Sequence, residues 1–272
     1  GTSAGYALQW AVLSGSPPRD LRAAYIEPGP TSPAAAVNLA RGARVLAIDG
    51  IDLVNTNVSA EIDRLNDALA PFAIGQSHSF TVQDPGGGPQ RTVSMTSANV
   101  TSTPVQNVRT IATASGPVGY LLFNDHIATS EAGLVNAITT LRDAGIVDLV
   151  LDVRYNGGGF LDIASELAYM IAGNARTSGR SFELLQFNDQ HTTRDPVTGE
   201  TLAPLPFHPA AEGFSVTAGT PLPALNLGRV YVITGSGTCS ASESIINSLR
   251  GVDIEVVQVG STTCGKPYGF TA

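Results

Sequence analysis

Apolar and polar positions along the chain follow one rhythm up to about residue 100 and another beyond it. In the first stretch they alternate in short runs, as half-buried strands do. "GYALQWAVL" and "LRAAYIEPG" read as strands, separated by the turn-forming "SGSPPRD". "SPAAAVNLARGARVLAIDGIDL" reads as a short helix stopped at Gly42, a strand from Val45 to Ile48 and an Asp49-Gly50 turn. "VSAEIDRLNDALAPFAIG" sets Ile62, Leu65 and Leu69 at helical spacing, and "SHSFTVQDPGGGPQRTVSMTS" is a hairpin with its tip at Gly86 to Gly88. The polar "TSTPVQNVRT" (101–110) reads as a linker.

After it, strands and helices alternate. "VGYLLF" (118–123), "VDLVLDV" (147–153), "GRVYVITG" (228–235) and "DIEVVQVG" (253–260) are near-continuous apolar runs suited to buried strands. "EAGLVNAITTLRDAG" (131–145) and "FLDIASELAYMIAG" (160–173) are helical, as is the run after "GTCSASE". Residues 174–228 show little periodicity and are expected to form an irregular excursion. This order predicts an α/β domain with helices on a largely parallel sheet.

Composition narrows the function. Of 272 residues, 43% are hydrophobic and 14% charged, so the chain is globular, and its net charge of −8 argues against nucleic acid or anionic membrane as the main partner. No apolar run reaches the roughly 18–20 residues of a membrane span. "GTSAGYALQW" has no charged leader region, so any signal or anchor is expected outside this sequence. Among the 15 basic residues the only lysine is Lys266. Arginine stays protonated in proteins whereas lysine can lose its proton when desolvated, so a neutral side-chain amine could come only from Lys266.

Ligands of open α/β sheets bind beyond the carboxyl ends of the strands. Strand 147–153 leads there into Asn156-Gly157-Gly158-Gly159, strand 228–235 into Ser240, and strand 253–260 into Lys266. Ser240 with Glu243 is an S-x-x-E capping box, which by itself explains the serine as a helix cap. A serine there also lies beside free helix N–H groups, glycine runs can offer N–H groups to an oxyanion, and a desolvated lysine can activate a serine. No histidine competes: His78 falls in the first module, His191 and His208 in the excursion. His126 follows a strand in "FNDHIATS", either as an ordinary polar residue or lining the cleft.

"VLDVRYNGGG", "SASE" and "TTCGK", in this order and with 26 residues from Ser240 to Lys266, resemble the motifs of the C-terminal processing (tail-specific) serine proteases. The resemblance implies a crotonase/Clp-protease-like catalytic domain over 104–272, C-terminally incomplete, with Ser240 as nucleophile and Lys266 as base. It implies oxyanion N–H groups at Gly157, Gly158 and Ala241, and neither metal nor cofactor. "EPGPTSPAAAVNLARGARVLAIDGIDL" is similar to the PDZ domains of bacterial proteases. This implies a β-rich peptide-binding domain over 1–103 with a carboxylate loop near Gly5, Tyr6, Ala7 and Leu8. The expected partners are proteins or peptides with apolar C-termini, in an extracytoplasmic compartment. Cys239 and Cys264 flank the two proposed catalytic residues, either as a disulfide suited to such a compartment or as buried free thiols.

Two departures stand against the family pattern: Phe270 occupies the position where many members carry glutamine, and the sequence stops at Ala272 soon after the lysine. They keep open a binding protein on the same fold that holds peptide or apolar ligand without turnover. An acyl-CoA enzyme of the crotonase group is a third reading by fold analogy alone.

Overall fold

The computed structural model describes residues 2–29 and 31–266. Phe270 lies outside them. The chain divides after Ser102 into two compact units.

In the first unit β1 (Thr2–Gly5) pairs antiparallel with β8 (Ala98–Thr101), joining the unit's ends. Between them lie β2 (Leu8–Ser14), β3 (Asp20–Ile26), α1 (Pro33–Ala36), β4 (Arg44–Ile48), β5 (Ile51–Asp52), α2 (Ser59–Leu69), β6 (Ser77–Gln83) and β7 (Gln90–Thr96). The strands form an antiparallel sheet in the order β2-β3-β4-β6-β7, with β5 on β4. Asp49 and Gly50 both adopt positive φ, as the tight turn between β4 and β5 requires. Alternate residues Val45, Phe80, Val82 and Met95 form the core, with the Tyr6 ring edge-on to Phe80. The strand expected over 5–13 is broken at Tyr6-Ala7. There the chain leaves β8 for β3, with Ala7 at φ 60.

The second unit contains β9 (Val105–Thr113), β10 (Gly116–Phe123), α3 (Thr129–Asp143), β11 (Asp148–Asp152), α4 (Leu161–Ala172), α5 (Asn174–Thr177), β12 (Ser181–Glu183), β13 (Leu205–Pro206), β14 (Arg229–Thr234), α6 (Ala241–Gly251) and β15 (Glu255–Gly260). The main sheet runs β15-β14-β11-β10-β9. Its first four strands are parallel, and β9 is a hairpin partner antiparallel to β10. Most of the expected linker is therefore the edge strand β9. Its polar residues face solvent, while Val105 and Val108 pack on the core, a one-sided burial that a polar sequence disguises.

Leu121, Leu149, Leu151, Val230 and Val232 are wholly buried, which is why β10, β11 and β14 read as unbroken apolar runs. Helix α4 packs between α3 and α6, and the 174–228 excursion adds Phe182, Phe207, Leu222 and Leu227 to the same core. The excursion is thus irregular in backbone yet part of the packed interior.

Two buried acids hold it there. Glu131, in the first turn of α3, accepts the N–H groups of Gly213 (2.9 Å), Ser215 (2.5 Å) and Val216 (2.6 Å). Burial pushes its pKa up, but those N–H groups outweigh it and hold the carboxylate below its usual range. Glu166, midway along α4, accepts the Glu212 N–H through Oε1 at 2.8 Å. Its Oε2 meets no donor among the described residues. Burial, with the charge of Glu131 adding to it, pushes Glu166 up to about 8, so it is protonated at neutral pH.

The folded state therefore keeps a proton that an unfolded Glu166 would release above about pH 4.3. Stability falls as pH rises from there through about 8, because the folded form binds more protons in that window. Glu166→Gln should remove this slope. Denaturation midpoints at pH 5 to 8 should converge for the two proteins at the acid end and favour the variant at the alkaline end; parallel curves would contradict the assignment.

Candidate active site

The carboxyl ends of β11, β14 and β15 meet at a cleft of about 1490 Å³ lined by Gly157, Gly158, Ser240, Glu243 and Lys266 among others. Ser240 is the N-cap of α6 at φ 55, ψ −120. A non-glycine residue is strained in that region by roughly 1–3 kcal/mol and stays there only when neighbours over-determine it. Several do. The Cys239 N–H donates to Asn156 O (3.1 Å), the Thr238 hydroxyl to Val153 O (2.8 Å), and the Ser240 N–H to Glu243 Oε2 (2.8 Å).

Glu243 reaches further. Its carboxylate also accepts the Thr263 hydroxyl (2.6 Å), the Gly265 N–H (2.8 Å) and the Lys266 N–H (3.0 Å). Burial works to raise its pKa, but these donors with the Ser240 N–H outweigh it, so the group is an anion at neutral pH. Cys239 and Cys264 are joined in a disulfide with Cα atoms 5.3 Å apart, and the Cys264 N–H donates to Thr238 O at 3.0 Å. The loop carrying half-buried Lys266 is thereby fastened to the turn carrying Ser240 by a covalent bond, a backbone bond and a shared carboxylate. Cys239, Glu243 and Cys264 also lie close enough to suggest metal ligands, but both sulfurs are consumed in the disulfide.

The glycine loop presses directly on the same turn. Gly158 has φ +102, and a Cβ on it would lie 2.7 Å from Ser240 Cβ and 3.0 Å from Ala241 N, so only glycine fits. Its N–H donates to Asn156 Oδ1 at 3.0 Å. This corrects one sequence expectation: the Gly158 N–H is committed within the protein and is not available to an oxyanion. The N–H groups of Gly157 and Ala241 have no partner among the described residues; Ala241 follows Ser240 in sequence, and Gly157 lines the same cleft.

Other expectations map as follows. Gly5 ends β1, while buried Tyr6 and Ala7 use their carbonyls on Ala34 N–H and Glu27 N–H, and Leu8 opens β2. His78 pairs with Asp49 at 2.6 Å within the first unit, and His208 pairs with Asp162 at 3.0 Å within the second. His126 is fully buried against the glycine loop, its Nδ1 2.9 Å from Asn156 Oδ1. Sequence reading missed the anchoring by Asn156 and the reach of Glu243. The S-x-x-E spacing announced the bond to Ser240, but nothing in it announces the bonds made 20 to 23 residues away.

Glu243→Gln removes the charge and one acceptor oxygen. A hydrogen bond to a charged group is worth about 1.5–3 kcal/mol, so amide exchange at Gly265 and Lys266 should quicken by about tenfold or more, while that of the sheet interior stays unchanged. Hydrogen exchange followed residue by residue tests this; unaltered protection at both amides would remove Glu243 as the fastener.

Two curated proteins share much of this sequence. The carboxyl-terminal-processing protease of Picosynechococcus sp. (strain ATCC 27264 / PCC 7002 / PR-6) is 29% identical over 241 residues, covering 89% of this chain and 50% of its own length. The chloroplastic C-terminal processing peptidase of Tetradesmus obliquus is 25% identical over 252 residues, covering 89% and 47%. The chain thus spans about half the length of these relatives. Among solved structures, a candidate S41 protease from Bacteroides fragilis NCTC 9343 superposes with a TM-score of 0.67 at 24% identity, covering 97% of this chain and 65% of that one. The photosystem II D1 C-terminal processing protease gives 0.51 at 23% identity, covering 97% and 61%, and these two likenesses attest the fold. Residues 117–269 match peptidase family S41, and with the α/β architecture described above the chain belongs to that family.

Proposed function

We propose that the chain is a serine endopeptidase that cuts proteins or peptides near their C-termini, with Ser240 as nucleophile and Lys266 as general base. The observation that carries this reading is the carboxylate of Glu243, which takes the backbone N–H of both Ser240 and Lys266 and so fixes the two segments against each other. Family membership supplies the reaction class.

In this reading a substrate carbonyl lies over Ser240 with its oxygen toward the N–H groups of Gly157 and Ala241. Lys266, as general base, takes the Ser240 proton as Oγ attacks, and negative charge collects on the oxygen held by those N–H groups. Lys266 then gives the proton to the leaving amine, and an acyl-enzyme forms on Ser240. Water, deprotonated by Lys266, releases the new C-terminus. The N-terminus of α6 adds a positive potential at the oxyanion.

The first unit, read as residues 1–103 ahead of a catalytic domain over 104–272, acts as a PDZ-like module. Its β2 is an edge strand of the sheet, tied to α2 by the Trp10 indole N–H on Leu69 O at 3.3 Å, an arrangement that can take an extended peptide as an added strand. The four parallel strands with α6 behind Ser240 support the crotonase/Clp-like description of the second unit. Substrates with apolar C-termini follow from the same resemblance, with Phe160, Leu161, Phe182 and Ile246 in the cleft wall in support. The Cys239–Cys264 bond supports an extracytoplasmic setting. No helix among the described residues is long and apolar enough to cross a membrane.

Cleavage of a peptide with an apolar C-terminal tail, followed by mass spectrometry, tests the assignment. Ser240→Ala should lower turnover by about 10⁴-fold or more. Lys266→Arg should match Lys266→Ala to within about tenfold, because a permanent cation cannot accept the proton. An active arginine variant excludes Lys266 as base. Peptide binding by the wild type with no labelling of Ser240 by a fluorophosphonate points instead to a binding protein on the same fold.

A further inference from the structure

The geometry points to His126 as a positioning residue that fixes the oxyanion-binding glycine loop through Asn156, without touching substrate. The inference rests on the proposed peptidase reading, in which Gly157 and Ala241 supply the oxyanion N–H groups.

His126 is wholly buried at the exit of β10 and grips the glycine loop along its length. Its N–H donates to Gly158 O at 3.2 Å, its carbonyl accepts the Phe160 N–H at 2.9 Å, and it forms a parallel bridge with Gly159. The approach at Gly159 is so close that a Cβ there would collide with the His126 carbonyl. The side chain adds the contact to Asn156 Oδ1 at 2.9 Å.

The proton on that contact can be assigned from the neighbouring bonds. The Gly158 N–H donates to Asn156 Oδ1 at 3.0 Å, and Asn156 Nδ2 donates to Phe123 O at 3.2 Å, so the amide oxygen must face His126. An amide oxygen has no proton to give, and His126 is therefore the Nδ1–H tautomer. Its Nε2 is left as a lone pair with no partner among the described residues. Burial pushes its pKa down to about 4, against the bonds to Asn156 and Gly158, which keeps the ring neutral at physiological pH. The ring lies 4.4 Å from that of Phe123.

The consequence is a fixed Asn156. Its Oδ1 holds the Gly158 N–H inward, and its backbone carbonyl holds the Cys239 N–H and the Ser242 hydroxyl, both at 3.1 Å. Without the His126 proton, Asn156 Oδ1 keeps only one donor, and a rotated amide would release the Gly158 N–H beside Ser240. The Gly157 N–H would then lose its fixed direction. His126 is among the residues around the cleft, but with Nδ1 spent on Asn156 and Nε2 buried we assign it no general-base role.

The test compares His126→Leu, His126→Gln and His126→Asn in the intact chain. Asparagine places an amide N–H near the Nδ1 position, whereas glutamine places it near Nε2. For a peptide with an apolar tail, leucine and glutamine should lower kcat about a hundredfold, the scale of one oxyanion donor, with KM changed less than about threefold. Asparagine should recover kcat to within about tenfold of wild type. Should the leucine variant fail to fold, the asparagine–glutamine pair carries the comparison at matched circular dichroism and melting temperature. Wild-type kcat in the leucine or glutamine variant, or an asparagine variant no better than glutamine, overturns the proposal. Wild type that is not labelled at Ser240 by a fluorophosphonate overturns the peptidase reading itself, and this inference with it. Normal labelling of wild type alongside an unaffected glutamine variant overturns the role of His126 alone.

Discussion

The carboxylate of Glu243 stands between two segments that the chain would otherwise leave independent, the turn before α6 and the loop after β15. It receives donors from both sides, Ser240 on one and Thr263, Gly265 and Lys266 on the other, and each is a charge-assisted bond of the stronger kind. A single anion in the first turn of a helix also complements the helix dipole, so the group serves its own helix and the loop at once. The disulfide closes the same ring covalently across 25 residues, a restraint worth about 3 kcal/mol in chain entropy. The Cys264 N–H on Thr238 O adds a third tie between the same segments, and the carboxylate is the acceptor that takes the Lys266 backbone N–H.

A second network fixes the opposite wall. Asn156 uses both ends of its side chain and its backbone carbonyl, linking β10, the glycine loop and the turn before α6 through Phe123, His126, Gly158, Cys239 and Ser242. Such buried polar clusters stabilise a unique arrangement only when nearly every group is satisfied. The pair Glu131 and Glu166 does similar service away from the cleft. It anchors the 212–216 backbone to two helices and leaves one acid protonated to avoid two adjacent buried charges.

Much of this was legible in the amino-acid order. Buried parallel strands announce themselves as apolar runs, as β10, β11 and β14 do, whereas β15, which the same pattern marks as buried, ends the sheet among the described residues and is largely exposed. The meeting of Gly157, Ser240 and Lys266 at one cleft follows from the rule that loops after parallel strands share a sheet edge. What escaped was whatever depends on a partner distant in sequence. β9 hides behind polar residues because it is an edge, with only Val105 and Val108 turned inward. Gly158 looks like a donor in "NGGG", yet its N–H is taken by a side chain two residues back. Glu131 and Glu166 look like ordinary helix-surface acids, and only the folded excursion reveals what they hold.

Ser240 itself sets a tension between chemistry and folding. Its backbone lies where glycine rests without penalty, so local energetics alone would choose glycine at this position. Glycine at this position would rest without backbone strain but would remove the Ser240 hydroxyl from the cleft. Backbone angles that glycine tolerates freely are thus borne by a side chain that lines the cleft, at the junction of a strand exit and a helix start.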